Sequence, residues 1–333
     1  MTLDGGGLRW AAGNTVDVSS RLQLGAGGGL VDTLANNVSF AAPVTGAGAL
    51  TKIGTGTLTL NGTQPWTGGL FVSGGNVTVP GQTTGKAQIV VGAAPSSVAM
   101  MSVSGANARL ASTDYLEVGS RGNGTLNITS GGQVTSGTTT ALAVYPGSRG
   151  EVNVTGSGSS LTASSKLFVG YQGPAVMTVG TGSVVTVGEQ LRLGELPGGS
   201  GAFVLAPGGT LNIGGADGIR TGTGEGGFYL NGGTLKVTGS SLTTTVPMTL
   251  NDTTLIDTSG VDGVFGGALS ARAASRKLAA AFFISTPPAA TRAVPRSLAA
   301  ASWCPPRTRS VRGRFPSSAA RSKAVARSLA MSR

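Results

Sequence analysis

Apolar and polar residues alternate in short runs along most of this chain, and the runs recur. Leu116-Glu-Val-Gly119, Leu142-Ala-Val-Tyr145, Leu167-Phe-Val-Gly170 and Leu191-Arg-Leu-Gly194 begin 26, 25 and 24 residues apart. Each is followed by a Gly-containing turn and a second run: Gly124-Thr-Leu-Asn-Ile128, Gly150-Glu-Val-Asn-Val154, Ala175-Val-Met-Thr-Val179 and Gly201-Ala-Phe-Val-Leu205. A third run follows in most copies: Gly132-Gln-Val134, Ser160-Leu161, Ser183 to Val187 and Gly209 to Ile213. Ile89-Val-Val-Gly92 with Met101-Ser-Val103 reads as an earlier, weaker copy. A period of two, bounded by Gly, Ser and Asn, predicts short strands with one buried face.

A unit of this size encloses no core of its own. Stacking supplies one: if each unit is a rung of a coil, the inward Leu, Val and Ile of one rung lie over those of the next. Main-chain hydrogen bonds then run from rung to rung at about 4.8 Å. Small residues take the corners, where φ > 0 or close packing is needed. The fold expected is all-β, a right-handed parallel β-helix (β-solenoid) over residues 1–270. A rung of about 24 residues suits three sides, whereas a propeller blade needs about 40 or more. If residues 1–265 hold about eleven rungs, the rod is on the order of 50 Å long. The 5% aromatic content fits a narrow lumen filled by aliphatic ladders.

Composition divides the chain in two. Residues 1–265 hold all 13 acids and 11 of the 24 Lys and Arg, and all but three of the 57 glycines lie there as well. The net charge of +11 therefore belongs to the C-terminal part, and it does not mark the body as a nucleic-acid binder. The single cysteine, Cys304, is also in that part, so no disulfide can hold the body together. No charged stretch followed by an apolar core reads as a signal peptide. No run of about twenty apolar residues reads as a membrane span. Met1 runs straight into repeat-like sequence, which suggests that the true N-terminus lies further upstream.

Residues 46–79 read GAGALTKIGTGTLTLNGTQPWTGGLFVSGGNVTV. This stretch resembles the autotransporter-associated β-strand repeat. The matching positions are Gly46, Gly48, Leu50, Thr51, Lys52, Gly54, Gly56, Thr57, Leu58, Leu60, Gly62, Gly68, Gly69, Val72, Gly74 and Gly75. Trp66 stands where the family has Tyr, and Pro65 beside it is also unusual, so that turn is expected to differ locally. The 24–26 residue units of 89–213 resemble the second repeat type of the same large passengers.

The resemblance implies a type V secretion passenger, exported through an outer-membrane β-barrel and displayed outside a Gram-negative cell. Its function would be a structural stalk supporting adhesion or aggregation. Its partners would be its own barrel translocator, absent from this chain, and host or cell-surface glycans or proteins. The alternative is a β-helical polysaccharide-binding or polysaccharide-degrading protein.

Candidate chemistry is sparse. Without His there is no Ser-His-Asp triad and no imidazole metal ligand. Clustered acids remain, and the best candidates are Asp252, Asp257 and Asp262, with Glu225 and Asp217 upstream. Their turn-like settings are more simply Asx turns at rung corners. Gly214-Gly-Ala-Asp-Gly218 approaches the calcium nonapeptide pattern only once. No catalytic residue, cofactor site or metal site is assigned, and the reading is not an enzyme.

Residues 271–333 are rich in Ala, Arg, Ser and Pro and carry no acid. They read as a disordered basic tail, as a polyanion-binding arm, or as a frameshifted repeat. The last explains most. Shifting by two bases turns GCN, CGN and TCN codons into codons that include Gly, Thr and Leu. The shifted frame then permits the repeat of 46–79 across 271–304 without gaps.

Overall fold

Residues 1–239, 241–271, 281–284 and 313–314 are described in the computed structural model. Their strands form three long parallel sheets of ten, eleven and nine strands, with a three-stranded sheet at either end. We call the long sheets the first, second and third faces. The chain visits them in turn. Ile89–Val91 lies on the first face, Val98–Ser104 on the second and Arg109–Ser112 on the third; Leu116–Val118 then returns to the first. Each strand pairs in parallel with its counterpart one turn later, as Val98–Ser104 does with Asn123–Thr129. The result is a β-solenoid of about 11 turns, and eleven strands at about 4.8 Å give a rod roughly 50 Å long.

The alternation in the sequence becomes inside and outside. Thr57–Leu60 and Ser160–Ala163 bury every second residue, because successive side chains of a strand point to opposite faces of the sheet. Leu126, Val152, Met177, Phe203 and Phe228 lie over one another in register and are buried. Each such Leu or Val contributes roughly 1.5–3 kcal/mol when fully buried. The lumen is mainly aliphatic, but Phe40, Trp66, Phe203 and Phe228 are also inside. Phe203 and Phe228 stack with ring centres 5.3 Å apart.

Corners explain much of the glycine. Gly92, Gly119, Gly170 and Gly194 end successive first-face strands with φ between 59° and 78°. A Cβ on Gly119 would lie 2.1 Å from the Arg149 carbonyl oxygen. Ala143 holds the same corner on its own rung, at φ 55° and fully buried.

The second-face and third-face alignments read from the sequence hold residue by residue: Gly124 pairs with Gly150, Gly150 with Ala175, and Val134 with Leu161. One first-face alignment is corrected. Leu116 pairs with Thr140, not Leu142, and Thr140 pairs with Leu167. A slip of two residues preserves inside and outside, so the apolar pattern does not reveal it. Rung length also varies. Leu50 pairs with Leu70 in the first part, a step of 20, and Leu126 with Val152 in the second, a step of 26.

Around Pro65–Trp66 the regular strands are interrupted. Residues 61–69 contribute only an isolated bridge, Thr63 to Gln82. They still join the N-terminal sheet to the third face, since Trp66 N–H donates to Val44 O at 3.1 Å and Ala87 N–H to Thr67 O at 3.0 Å.

Beyond Ser270, Leu269–Ala271 continues the second face, and 281–284 pairs in parallel with Thr254–Asp257 on the third. Residues 313–314 pair with Val264–Phe265, the one antiparallel pairing among the described residues. These short segments of 271–333 are paired strands. The expected disorder or frameshift concerns residues otherwise outside the described ones.

Candidate functional site

The five acids singled out from the sequence do not converge. Glu225 and Asp252 share the second face, but Asp252 sits beside Asn231, at the far end of the seven-residue strand that Glu225 begins. That separation is roughly 20 Å. Asp257 lies on the third face and Asp262 in the short C-terminal sheet. Asp217 pairs with Arg220 at 2.5 Å, within the single calcium-like Gly-rich run and its flank. The Asx-turn reading holds at Asp257, whose Oδ1 accepts from Ser259 N–H at 2.8 Å. Among the described residues, no three His, Cys, Asp or Glu are grouped so as to hold a metal. Cys304 lies outside the described residues.

The outer surfaces of the three faces differ chemically. On the second, Ser39, Thr59, Thr78, Ser102, Asn127, Asn153 and Thr178 form one outward column. Its members bond along the rod, as where Asn153 Nδ2 donates to Asn127 Oδ1 at 3.1 Å. On the third, Thr135, Thr162, Thr186 and Asn212 form a similar column. Such ladders bond along the rod, and charges are few beside them: Glu151 on the second face, and Lys236, which follows Asn212 on the third and faces Asp257.

The first face carries rings and charges instead. Its outward column runs Phe71, Val90, Glu117, Ala141, Phe168 and Arg192. Three of the chain's four tyrosines gather on three successive rungs beside it: Tyr115, Tyr145 and Tyr171. Tyr171 meets Phe168 edge-on at 5.2 Å, and the Arg121 guanidinium lies 4.6 Å from the centre of the Tyr145 ring. Burial pushes the Tyr115 phenol above its ordinary value, helped by Glu117, Asp114 and Tyr145. Ala141 points outward yet is only 8% exposed, so its neighbours close over it. Arg192 is held by Glu195 at 2.5 Å.

The lumen contains the least expected chemistry. Lys52 and Lys86 are fully buried, a rare state for lysine unless it is partnered. Lys52 Nζ donates to the carbonyls of Ile53, Gly54 and Gly74 at 2.8–3.1 Å. Lys86 Nζ donates to those of Gln64, Trp66 and Thr84. Burial pushes both ammonium groups down to about 8, a shift that Asp32 opposes at Lys52. Burial works to raise the Asp32 carboxyl, but hydrogen bonds from Leu34 N–H and Arg9, with the Arg9 and Lys52 charges, hold it below the usual carboxylate value.

No family model, curated protein or solved structure matches the chain. The geometry therefore stands by itself.

Neither the tyrosine patch nor the Lys86 site was marked by the repeat pattern. The signal for the first is that Tyr145 and Tyr171 occupy the same loop in successive copies. For the second the pattern misleads: alternation from the buried Thr83 would turn Lys86 outward, and a register shift at Thr84–Gly85, with Gly85 at φ 70°, turns it in.

Proposed function

We propose that this chain is part of the stalk of an autotransporter passenger, a rod displayed outside a Gram-negative cell that supports adhesion or aggregation. What supports this reading is the resemblance of residues 46–79 to the passenger repeat, together with the way that stretch builds the coil. Leu50, Lys52, Leu58 and Leu60 of the motif turn inward, and its glycines occupy close approaches. A Cβ on Gly48 would lie 1.7 Å from Gly25 O, and one on Gly56 2.0 Å from Asn36 O. The motif is thus a rule for stacking one rung on another, which suits a long repetitive stalk. The absence of cysteine from residues 1–265 agrees with passage through a periplasm and a pore as an unfolded chain.

The test is the gene itself. The reading expects DNA beyond codon 333, or in the neighbouring frame from codon 271, to encode further rungs and then a β-barrel of strands of about ten residues with alternating faces. Barrel-free DNA in all frames downstream would sink it. A chain joined to such a barrel should label with antibody on intact cells through an epitope placed in the 143–149 loop.

A further inference from the structure

We propose that the tyrosine patch of the first face is a binding site for a neutral polysaccharide. Three observations carry it. First, the rings are concentrated: three of the four tyrosines and Phe168 stand on three neighbouring rungs, while the other two faces carry mainly hydroxyl and amide columns, with Tyr229 alone on the second. Aromatic ring faces are negative and attract polarised C–H groups, so a ring presented at a surface suits the apolar face of a sugar. Second, the polar groups that accompany the rings suit hydroxyls. The Tyr115, Tyr145 and Tyr171 phenols each donate and accept, and Glu117 accepts on the Tyr115 rung.

Third, the charges select against charged ligands. Arg192 is engaged by Glu195, and Arg121 lies against Tyr145. Glu117 and Asp114 both act on Tyr115, and Lys166, on the strand of Phe168, and Arg121 stand against them, so the two signs balance and an ionic polymer gains no net attraction. A protein partner would be expected to need a larger apolar core than this patch offers. Tyr115 precedes its first-face strand while Tyr145 and Tyr171 follow theirs, so the rings flank the face over two rung steps, roughly 10 Å along the rod axis, which suits a short run of sugars and not a single ring. This names the partner class of the surface and stands whether or not the chain is exported as a passenger.

Electrophoresis of the full chain through gels holding a dissolved neutral glucan, mannan, galactan or xylan tests it. At least one of the four should retard the chain. Tyr145→Ala and Tyr171→Ala should each weaken that retardation at least tenfold, whereas Thr162→Ala on the third face should leave it unchanged. Circular dichroism checks that each variant is folded, and Tyr145→Phe, which keeps the ring, should retain most of the binding if Tyr145→Ala unfolds the rung. No retardation by any of the four, or retardation that survives both tyrosine substitutions, overturns the proposal. Neither result bears on the barrel-coding DNA that tests export.

Discussion

The Lys86 ammonium nitrogen lies 4.1 Å from the centre of the Trp66 ring, inside the solenoid, and donates to the carbonyl of the same tryptophan. The contact joins the irregular 61–69 segment to the first strand of the third face. It works because a rung that leaves the sheet at Pro65 frees carbonyls that no strand pairs with, and a long cation reaches them. Buried polar groups left without partners are expensive, so one lysine that satisfies three carbonyls holds two rungs together.

Two buried lysines make stability depend on alkaline pH. Their folded values, about 8, lie below the ordinary 10.5. Folding therefore favours the neutral amine, and stability rises as pH increases from about 8 toward 10.5. The chain has no histidine to titrate nearby. The midpoint of urea denaturation, measured between pH 7 and 9.5, should increase with pH. Lys86→Met should lower stability at every pH yet reduce the slope; an unchanged slope in that variant would refute the assignment.

Ala143 occupies a corner that its neighbours fill with glycine, in a backbone region that disfavours a Cβ. Ala143→Gly should be neutral or stabilising by up to about 1 kcal/mol, a reversal of the usual preference. Gly119→Ala at the equivalent corner should destabilise by clearly more, because its Cβ would press on the Arg149 carbonyl. Thermal unfolding of the two variants measures both, and equal effects of the same sign would refute the argument.

Phe203 and Phe228 stack almost parallel, at 3° between ring planes, where the inward column changes from aliphatic to aromatic. Phe203→Ala should destabilise by about 3–5 kcal/mol, since the rungs above and below cannot close over the gap. Phe203→Leu should recover most of that loss. Guanidinium denaturation followed by far-ultraviolet circular dichroism reports both.

The coil was legible because two periods coincide. A residue-level period of two sets inside and outside, and the longer spacing of Val152, Met177 and Phe203 sets the stacking. Where a rung departs from the apolar pattern, the sequence loses its place. Thr140 is the clearest instance: a polar residue in an inward position made Leu142 look like the better partner for Leu116. The tyrosine patch was hidden for a different reason. Outward residues obey no packing rule, so their meaning emerges only when the rungs lie side by side.

The Thr140 exception makes its own prediction. Thr140 and Ser136 are both fully buried, and their hydroxyls meet at 2.8 Å across a corner of the lumen. Ser136 lies over Ser112 on one side and under Ala163 on the other, so the polar column ends at this pair. Removing one hydroxyl strands the other in an apolar setting, at about 1–3 kcal/mol. Ser136→Ala and Thr140→Val should each destabilise on that scale. The double variant, with no hydroxyl left unpaired, should be more stable than the sum of the two losses implies, by about 1 kcal/mol or more. A double-mutant cycle measured by urea denaturation gives this coupling directly. Strict additivity would mean that the two hydroxyls find other partners, and that Thr140 faces inward for a reason other than Ser136.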